Sequence, residues 1–308
     1  MPCYHPITGF QTVNPTEKKQ IYFGNKPRDI ATSQLEFPCN KCIGCRIDYG
    51  TEWGMRMYHE STMHDENMFL TYTYDDQSIP ADHGLDKKYL QNFNKRLRRY
   101  LEKNYPGKKV SFFQSGEYGE ETSRPHYHQI LFGFSAPDLQ WTSGDEKHKY
   151  YTSEIINKIW GHGHVTIADV TPETCNYVAR YLLKDLRNND WKSDYEIADP
   201  ETGEIHQRIK PFSTMSRNPA IGKSWYQKWK HDCFPSGFVI HQGRKNPVPG
   251  YYLRLLKEED PEQYAIQKEI RRKALTTDTA KREAKPERLA VREKCKQAKI
   301  SNLKRNKE

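Results

Sequence analysis

The chain has 308 residues, 35% of them hydrophobic, enough for one large domain or one ordinary domain with extensions. A mean hydropathy of −0.99 and the lack of any apolar run of about 20 residues argue against a membrane span, and the start MPCYHPITGF lacks the basic-then-apolar order of a signal peptide, so the expected location is the cytoplasm. The net charge of +9 points to a polyanionic partner, and residues 267–308 supply all of that excess, with fifteen Lys and Arg against six Asp and Glu.

Residues 1–60 are rich in Pro, Gly, Asn and Cys, show little periodicity, and read as loops that need a staple. Seven cysteines in a non-secreted chain read as thiols or metal ligands rather than as a disulfide framework. Three of them form the C-x-x-C-x-x-C run Cys39, Cys42 and Cys45. With Cys3 as the fourth ligand, or His5 in its place, this run suits a tetrahedral structural Zn²⁺ site; an iron–sulfur cluster is the alternative for such spacing. Cys175, Cys233 and Cys295 are isolated.

Met68 to Tyr74 (MFLTYTY) is dense in aromatic and β-branched residues and predicts a strand. Leu90, Phe93, Leu97 and Leu101 recur every three or four residues and predict an amphipathic helix over 85–101. Lys109 to Gln114 and His126 to Phe134 predict two antiparallel strands joined by a Gly- and Glu-rich connection. Tyr151 to Trp160 predicts a short helix and His164 to Val170 a fourth strand. Thr171-Pro172-Glu173-Thr174 opens a further helix running to about Leu186. Residues 187–250 are mixed and polar and predict no definite element, and 265–308 predict a solvated helix or a disordered arm.

This order is βαββαβ with one added helix, an α+β fold: a ferredoxin-like antiparallel sheet with helices on one face, a loop-rich Cys-containing N-terminal extension and a basic helical tail. The divisions it suggests are 1–60 as the extension, 61–188 as the catalytic domain, 189–264 as a C-terminal extension and 265–308 as the tail.

His126 and His128 alternate on a predicted strand, so both imidazoles can face one metal ion. Glu117 ends the partner strand, where a hairpin brings its carboxylate beside them; Glu120 and Glu121 compete for that role. Two imidazoles and a carboxylate leave positions open for phosphate oxygens, and Mg²⁺ or Mn²⁺ suits a phosphodiester. A second His-x-His pair, His162 and His164, sits among glycines at a turn and reads as incidental. Tyr177 and Tyr181 are four apart on a predicted helix and share a face, with Lys184 three further along. A tyrosine oxygen can attack phosphorus and hold the strand covalently. Arg96, Arg98, Arg99, Lys108 and Lys109 either face DNA or form a solvated flank, and the basic tail has the better claim to phosphates.

FLTYTYDD, GEYGEETSRPHYHQILFGF and YVARYLLKDL together resemble the three ordered motifs of the HUH endonuclease superfamily of Rep proteins. PCNKCIGCR and SRNPAIG extend the resemblance over roughly residues 36 to 260, to the replication initiators of the Gokushovirinae group of the Microviridae. The resemblance implies a rolling-circle nickase acting on single-stranded viral origin DNA, with His126, His128 and Glu117 holding the metal. Tyr177 or Tyr181 would form a 5′-phosphotyrosine and free a 3′-hydroxyl, and the other would act in the closing exchange. It also implies a phosphate or tyrosine contact for Lys184, and host replication proteins as partners. Two other readings remain open at this point: a zinc-stapled DNA-binding regulator without catalysis, and a metal phosphodiesterase that activates water.

Overall fold

The structure is a computed structural model that describes residues 3–13, 20–25, 32–119, 122–146, 148–185, 195–198, 203 and 205–301, with backbone only at 181–185 and 197–198. The chain forms two compact units, one of residues 1–49 with 266–308 and one of residues 50–265. In the first, β1 (Ile7–Thr12) pairs antiparallel with both β2 (Ile21–Phe23) and β3 (Thr32–Phe37). Helix α1 (Ile43–Ser61) begins in that unit and continues into the second. Its 19 residues replace most of the loop expected between the cysteine run and Glu60. The helix is weakly apolar, with glycines at 44, 50 and 54, and this obscures its periodicity.

The second unit is built on β4 (Asn67–Tyr74), β5 (Ser111–Tyr118), β6 (Pro125–Phe132), β7 (Gln140–Gly144), β8 (Lys149–Thr152) and β9 (Gly163–Ala168). Further along the chain, β10 (Glu196–Ala198) and β11 (Ile205–Gln207) form a hairpin, and β12 (Phe212–Met215) joins the main sheet. The seven strands run in the order β12-β5-β6-β4-β9-β8-β7 with antiparallel neighbours. The fold is therefore α+β around antiparallel sheets.

Helices cover this sheet on both faces, not on one as expected. Alternation along β4 shows why: Met68, Leu70, Tyr72 and Tyr74 enter one core, while Phe69 enters another. The first core is completed by α2 (Lys87–Asn104), which buries Leu90, Phe93, Leu97 and Leu101, and by α3 (Glu154–Trp160), which buries Ile156, Ile159 and Trp160. Each fully buried leucine or phenylalanine contributes about 1.5–3 kcal/mol. Asp86 caps α2 by accepting from the Lys88 N–H at 2.8 Å. Helix α3 starts later than the predicted Tyr151 because Lys149–Thr152 is paired as β8.

The opposite core joins Met57 of α1 to Phe113, Ile130 and Phe132 of the sheet and to Cys175, Val178 and Ala179 of α4 (Pro172–Asp185). Gly54 of α1 permits a close approach to α4: a Cβ there would lie 2.1 Å from Asn176 Oδ1 and 3.3 Å from its Cα.

The region that gave no definite prediction contains α5 (Lys223–Cys233), the hairpin β13 (Phe238–His241) and β14 (Arg244–Pro247), and α6 (Gly250–Glu259). Tyr226, Val239, Val248, Tyr252 and Leu256 form a third core there with Met55 of α1. At its edge His59 stacks on Trp225, with ring centroids 3.6 Å apart, and its Nδ1 lies 3.0 Å from the Tyr252 hydroxyl. Beyond α6 follow α7 (Pro261–Thr276), α8 (Asp278–Glu283) and α9 (Pro286–Ser301), so the described tail is helical. Nine helices in all lie among the described residues, and none is long and apolar enough to cross a membrane.

Candidate metal centre and flanking tyrosine

Strand register assembles the first candidate site. In the β5–β6 hairpin Glu117 stands opposite His126 and Ser115 opposite His128, while Thr71 of β4 stands opposite His128 on the other side. The three side chains meet at one point: Glu117 Oε1 lies 2.9 Å from His126 Nε2 and 3.2 Å from His128 Nε2. Glu117 and His128 are 3% and 2% exposed, so the carboxylate is taken out of water among partners able to donate to it. Burial by itself would raise the Glu117 carboxyl, but hydrogen bonding and charge from the two imidazoles outweigh it and hold the group well below the usual carboxylate range.

The remaining ring nitrogens are engaged from behind. His126 Nδ1 lies 3.3 Å from the Arg124 carbonyl, and His128 Nδ1 lies 3.0 Å from Thr71 Oγ1. With a cation in place of the Nε2 protons, Nδ1–H donation to the Arg124 carbonyl and to Thr71 Oγ1 would leave both Nε2 lone pairs as its ligands. The donor set therefore fits a divalent metal, and its ligand atoms all lie within 4.8 Å of one another. Glu120 and Glu121, the rival third ligands, lie outside the described residues.

Two contacts were not anticipated from the sequence. Thr71 belongs to the same strand face as Phe69, and Phe69 stacks on His128 at 5.7 Å with planes 9° apart. Period-two alternation in MFLTYTY was the available signal for both, but it needed the β4–β6 register to become specific. Arg124 fixes the hairpin end, donating to Asp76 and to the Tyr74 carbonyl at 2.7 Å each.

Helix α4 brings Tyr177 to this site. Cys175, Val178 and Ala179 bury the helix against the sheet, and the Tyr177 ring meets His128 at 5.3 Å and Phe69 at 6.1 Å, edge-on in both cases. Tyr181 and Lys184 continue the same helical backbone, and their side chains lie outside the described residues. The other histidine pair does not form a site: His162 packs among Tyr74, Tyr89 and Trp160, while His164 is exposed on β9. Arg96 and Arg98 belong to α2, across the sheet from Glu117, where Arg96 donates to the Trp160 carbonyl at 2.7 Å. Lys108 is engaged with Glu66.

The second candidate site lies in the smaller unit. The sulfurs of Cys3, Cys39, Cys42 and Cys45 lie within 4.8 Å of one another, and Cys3 and Cys42 are 3.9 Å apart. Tetrahedral thiolates on Zn–S bonds of about 2.3 Å would be spaced by about 3.8 Å, so this set also fits its metal. Asn40 adopts a left-handed φ of 57°, which turns the Cys39–Cys42 loop back on itself. Backbone N–H groups of Lys41 and Cys42 point at Cys39 Sγ, at 3.4 and 3.2 Å. Burial raises the Cys42 thiol, yet N–H donation from Cys45 and Tyr4 and its cysteine neighbours carry it down to about 6. His5, the alternative ligand, is instead bonded to Glu293 at 2.7 Å.

An antiparallel sheet that offers a carboxylate and two imidazoles to one point, beside a tyrosine-bearing helix, defines a candidate metal centre, and comparison with known proteins shows which family carries it. The family model for the replication-associated protein ORF2/G2P matches residues 67–186, the stretch from β4 through α4. The chain is 34% identical over 271 residues to the replication-associated protein VP4 of Bdellovibrio phage phiMH2K, covering 86% of this chain and 80% of that protein. It is 30% identical over 241 residues to the replication-associated protein ORF2 of Spiroplasma virus 4, covering 74% and 70% of the two chains. The chain belongs to this family of phage replication-associated proteins. No solved structure matches it.

Proposed function

We propose that the protein initiates rolling-circle replication by nicking single-stranded origin DNA with a tyrosine nucleophile. The observation that carries this reading is the placement of the Tyr177 ring against His128, one of three groups converging on a single cation position. Membership of a replication-associated family supports it, as does the order β5-β6-β4-β9 at the centre of the sheet, which is compatible with a ferredoxin-like arrangement.

Mg²⁺ or Mn²⁺ held by Glu117, His126 and His128 would supply Lewis-acid polarisation of the scissile phosphate. Thr71 and the Arg124 carbonyl keep the imidazoles oriented, and Phe69 walls one side of His128 from water. The Tyr177 or Tyr181 oxygen bonds to phosphorus as the P–O3′ bond breaks; the phenol gives up its proton and the departing oxygen takes one up. A 5′-phosphotyrosine and a free 3′-hydroxyl result, the latter a primer for host replication proteins inside the infected cell. The partner tyrosine, one helical turn away, attacks the regenerated origin, and the new 3′-hydroxyl releases the first adduct as a circle. Lys184 contacts a phosphate on the same helix face. The four-thiolate set holds a structural Zn²⁺.

The test is to incubate the protein with an origin-derived single strand and Mn²⁺ and look for a protein–DNA adduct that survives denaturation. The adduct is expected with the native chain and absent when Tyr177 and Tyr181 are both changed to Phe. Undiminished cleavage by that double variant would show that water, not tyrosine, is the nucleophile.

A further inference from the structure

The ends of the chain meet at the four thiolates. Cys3 comes from the N-terminus, and Cys39, Cys42 and Cys45 come from the loop and first turn of α1. Besides the contacts to Cys39, the Tyr4 N–H donates to Cys42 Sγ at 3.3 Å and the Cys39 N–H to Cys3 Sγ at 3.2 Å. These donors already surround the sulfurs in the way thiolates require. Tyr4, adjacent to a ligand, is 6% exposed and packs with Cys42 against Leu289 of α9, itself 4% exposed. One residue further, His5 bonds Glu293 of the same helix.

Among the described residues, the other ties of helix α9 are polar: Arg288 and Arg292 pair with Glu283 of α8 at 3.1 and 3.5 Å. Leu289 is its buried residue; Arg292, Glu293, Lys296 and Ile300 are half-buried on the same face, at helical spacing from Leu289. The pair between His5 and Glu293 is largely open to solvent on the histidine side, with 66% exposure. A 16-residue helix of this polarity is marginal in water unless its docking surface is preformed. That surface is the Tyr4–Cys42 segment, which has no regular secondary structure of its own at Cys3–Pro6. A metal ion on four thiolates is what fixes such a segment.

We propose that the cysteine site is a metal-closed clasp that docks α9 and thereby builds a phosphate-binding platform from the two ends of the chain. With Leu289 seated, the faces of α9 turned away from it present Lys294 and Lys299, both exposed, while Arg288 is paired with Glu283 at 3.1 Å. The ligand is the sugar–phosphate backbone of single-stranded DNA, bound without sequence preference, because lysines fixed on a docked helix offer charge but no edge-reading geometry. The proposal rests on the zinc reading of the thiolates and is independent of the nicking mechanism.

The full chain tests it in three measurements. Native protein should carry one Zn²⁺ that resists mild chelation, is released by a mercurial, and is missing from the Cys3→Ser variant; failure to find that ion overturns the zinc reading and the clasp with it. Amide exchange in 286–301 should then rise at least tenfold when the mercurial strips the ion, while β5 and β6 stay protected. Unchanged exchange in 286–301 with the ion gone overturns the clasp but leaves the zinc reading intact. Leu289→Asp should free α9 while retaining the ion. It should also lower the salt slope of binding to a mixed-sequence single strand by about 1.4, two contacts at about 0.7 each. An unaltered slope with α9 released overturns the platform.

Discussion

The Tyr177 ring meets the His128 imidazole edge-on, with centroids 5.3 Å apart and planes at 87°. Ring contact of this kind depends on the aromatic edge and face, not on the phenol oxygen. Tyr177→Phe therefore keeps the packing on His128 and Phe69 and should change the unfolding free energy by less than about 1 kcal/mol. With Tyr181 still present, a covalent adduct should form. If closure uses both tyrosines as proposed, circular product should fall by more than about a hundredfold. Quantifying circles and adducts in one reaction checks this, and circle formation at the native rate by the single variant would contradict the two-tyrosine exchange.

Thr71 meets the candidate metal site through His128, whose Nδ1 lies 3.0 Å from its Oγ1. Thr71→Val preserves the branched shape on β4 and removes the hydroxyl that holds the ring. Outer partners of this sort are worth roughly 10–100-fold in metal affinity or activity. The Mn²⁺ titration midpoint should move upward within that range, and saturating Mn²⁺ should restore most of the activity. A midpoint equal to that of the native chain would mean that stacking on Phe69 orients His128 unaided.

His59 gives the larger unit an acid sensitivity. Burial between Trp225 and Tyr252, with the charge of His241 adding to it, drives its value from 6.5 down to about 3. The unfolded chain takes up a proton near 6.5 that the native chain refuses until about 3. The corresponding stability is thus full above pH 6.5 and drains away as pH falls through that window, by about 1.4 kcal/mol per pH unit. Urea midpoints measured from pH 7 to 4.5, above the range where the contribution of Glu60 is lost, should fall steeply for the native chain and less steeply for His59→Gln. Parallel curves would assign the acid sensitivity elsewhere.

The sheet that carries Glu117, His126 and His128 is legible in the sequence because its elements are locally periodic. MFLTYTY, the Leu90-to-Leu101 stripe and HYHQILF each carry their own period, and the β5–β6 hairpin needs only a short connection to place Glu117 across from His126. What was not legible is non-local. Strand β12 is four residues long and earns its place only by pairing with β5 about a hundred positions earlier. Helices on both faces follow from Phe69 and Ile130 entering a core that α1 closes, and α1 hid in a segment whose cysteines and glycines signal loops. Leu289 is one apolar residue in a charged tail, and its partner Tyr4 lies 285 positions earlier, beyond the reach of any local pattern.

Gly54 tests whether the spacing of two helices governs the chemistry. A methyl group there would fall 2.1 Å from Asn176 Oδ1, 3.1 Å from Asn176 Cγ and 3.3 Å from its Cα, one residue before Tyr177. Gly54→Ala raises the helix propensity of α1 by about 1 kcal/mol, so loss of the fold is not the expected result. The carboxamide can swing away, but the crowding against the Asn176 backbone requires α4 to retreat by a few tenths of an ångström, and Tyr177 retreats with it. Adduct formation should drop several-fold while the Mn²⁺ midpoint stays fixed, because Glu117, His126 and His128 are held by the sheet. Adding Asn176→Ala removes the two shorter approaches and leaves the crowding at the backbone, so activity should recover in part. Complete recovery would place the whole effect in the Asn176 side chain, and a shifted Mn²⁺ midpoint would mean that α4 also positions the ligands.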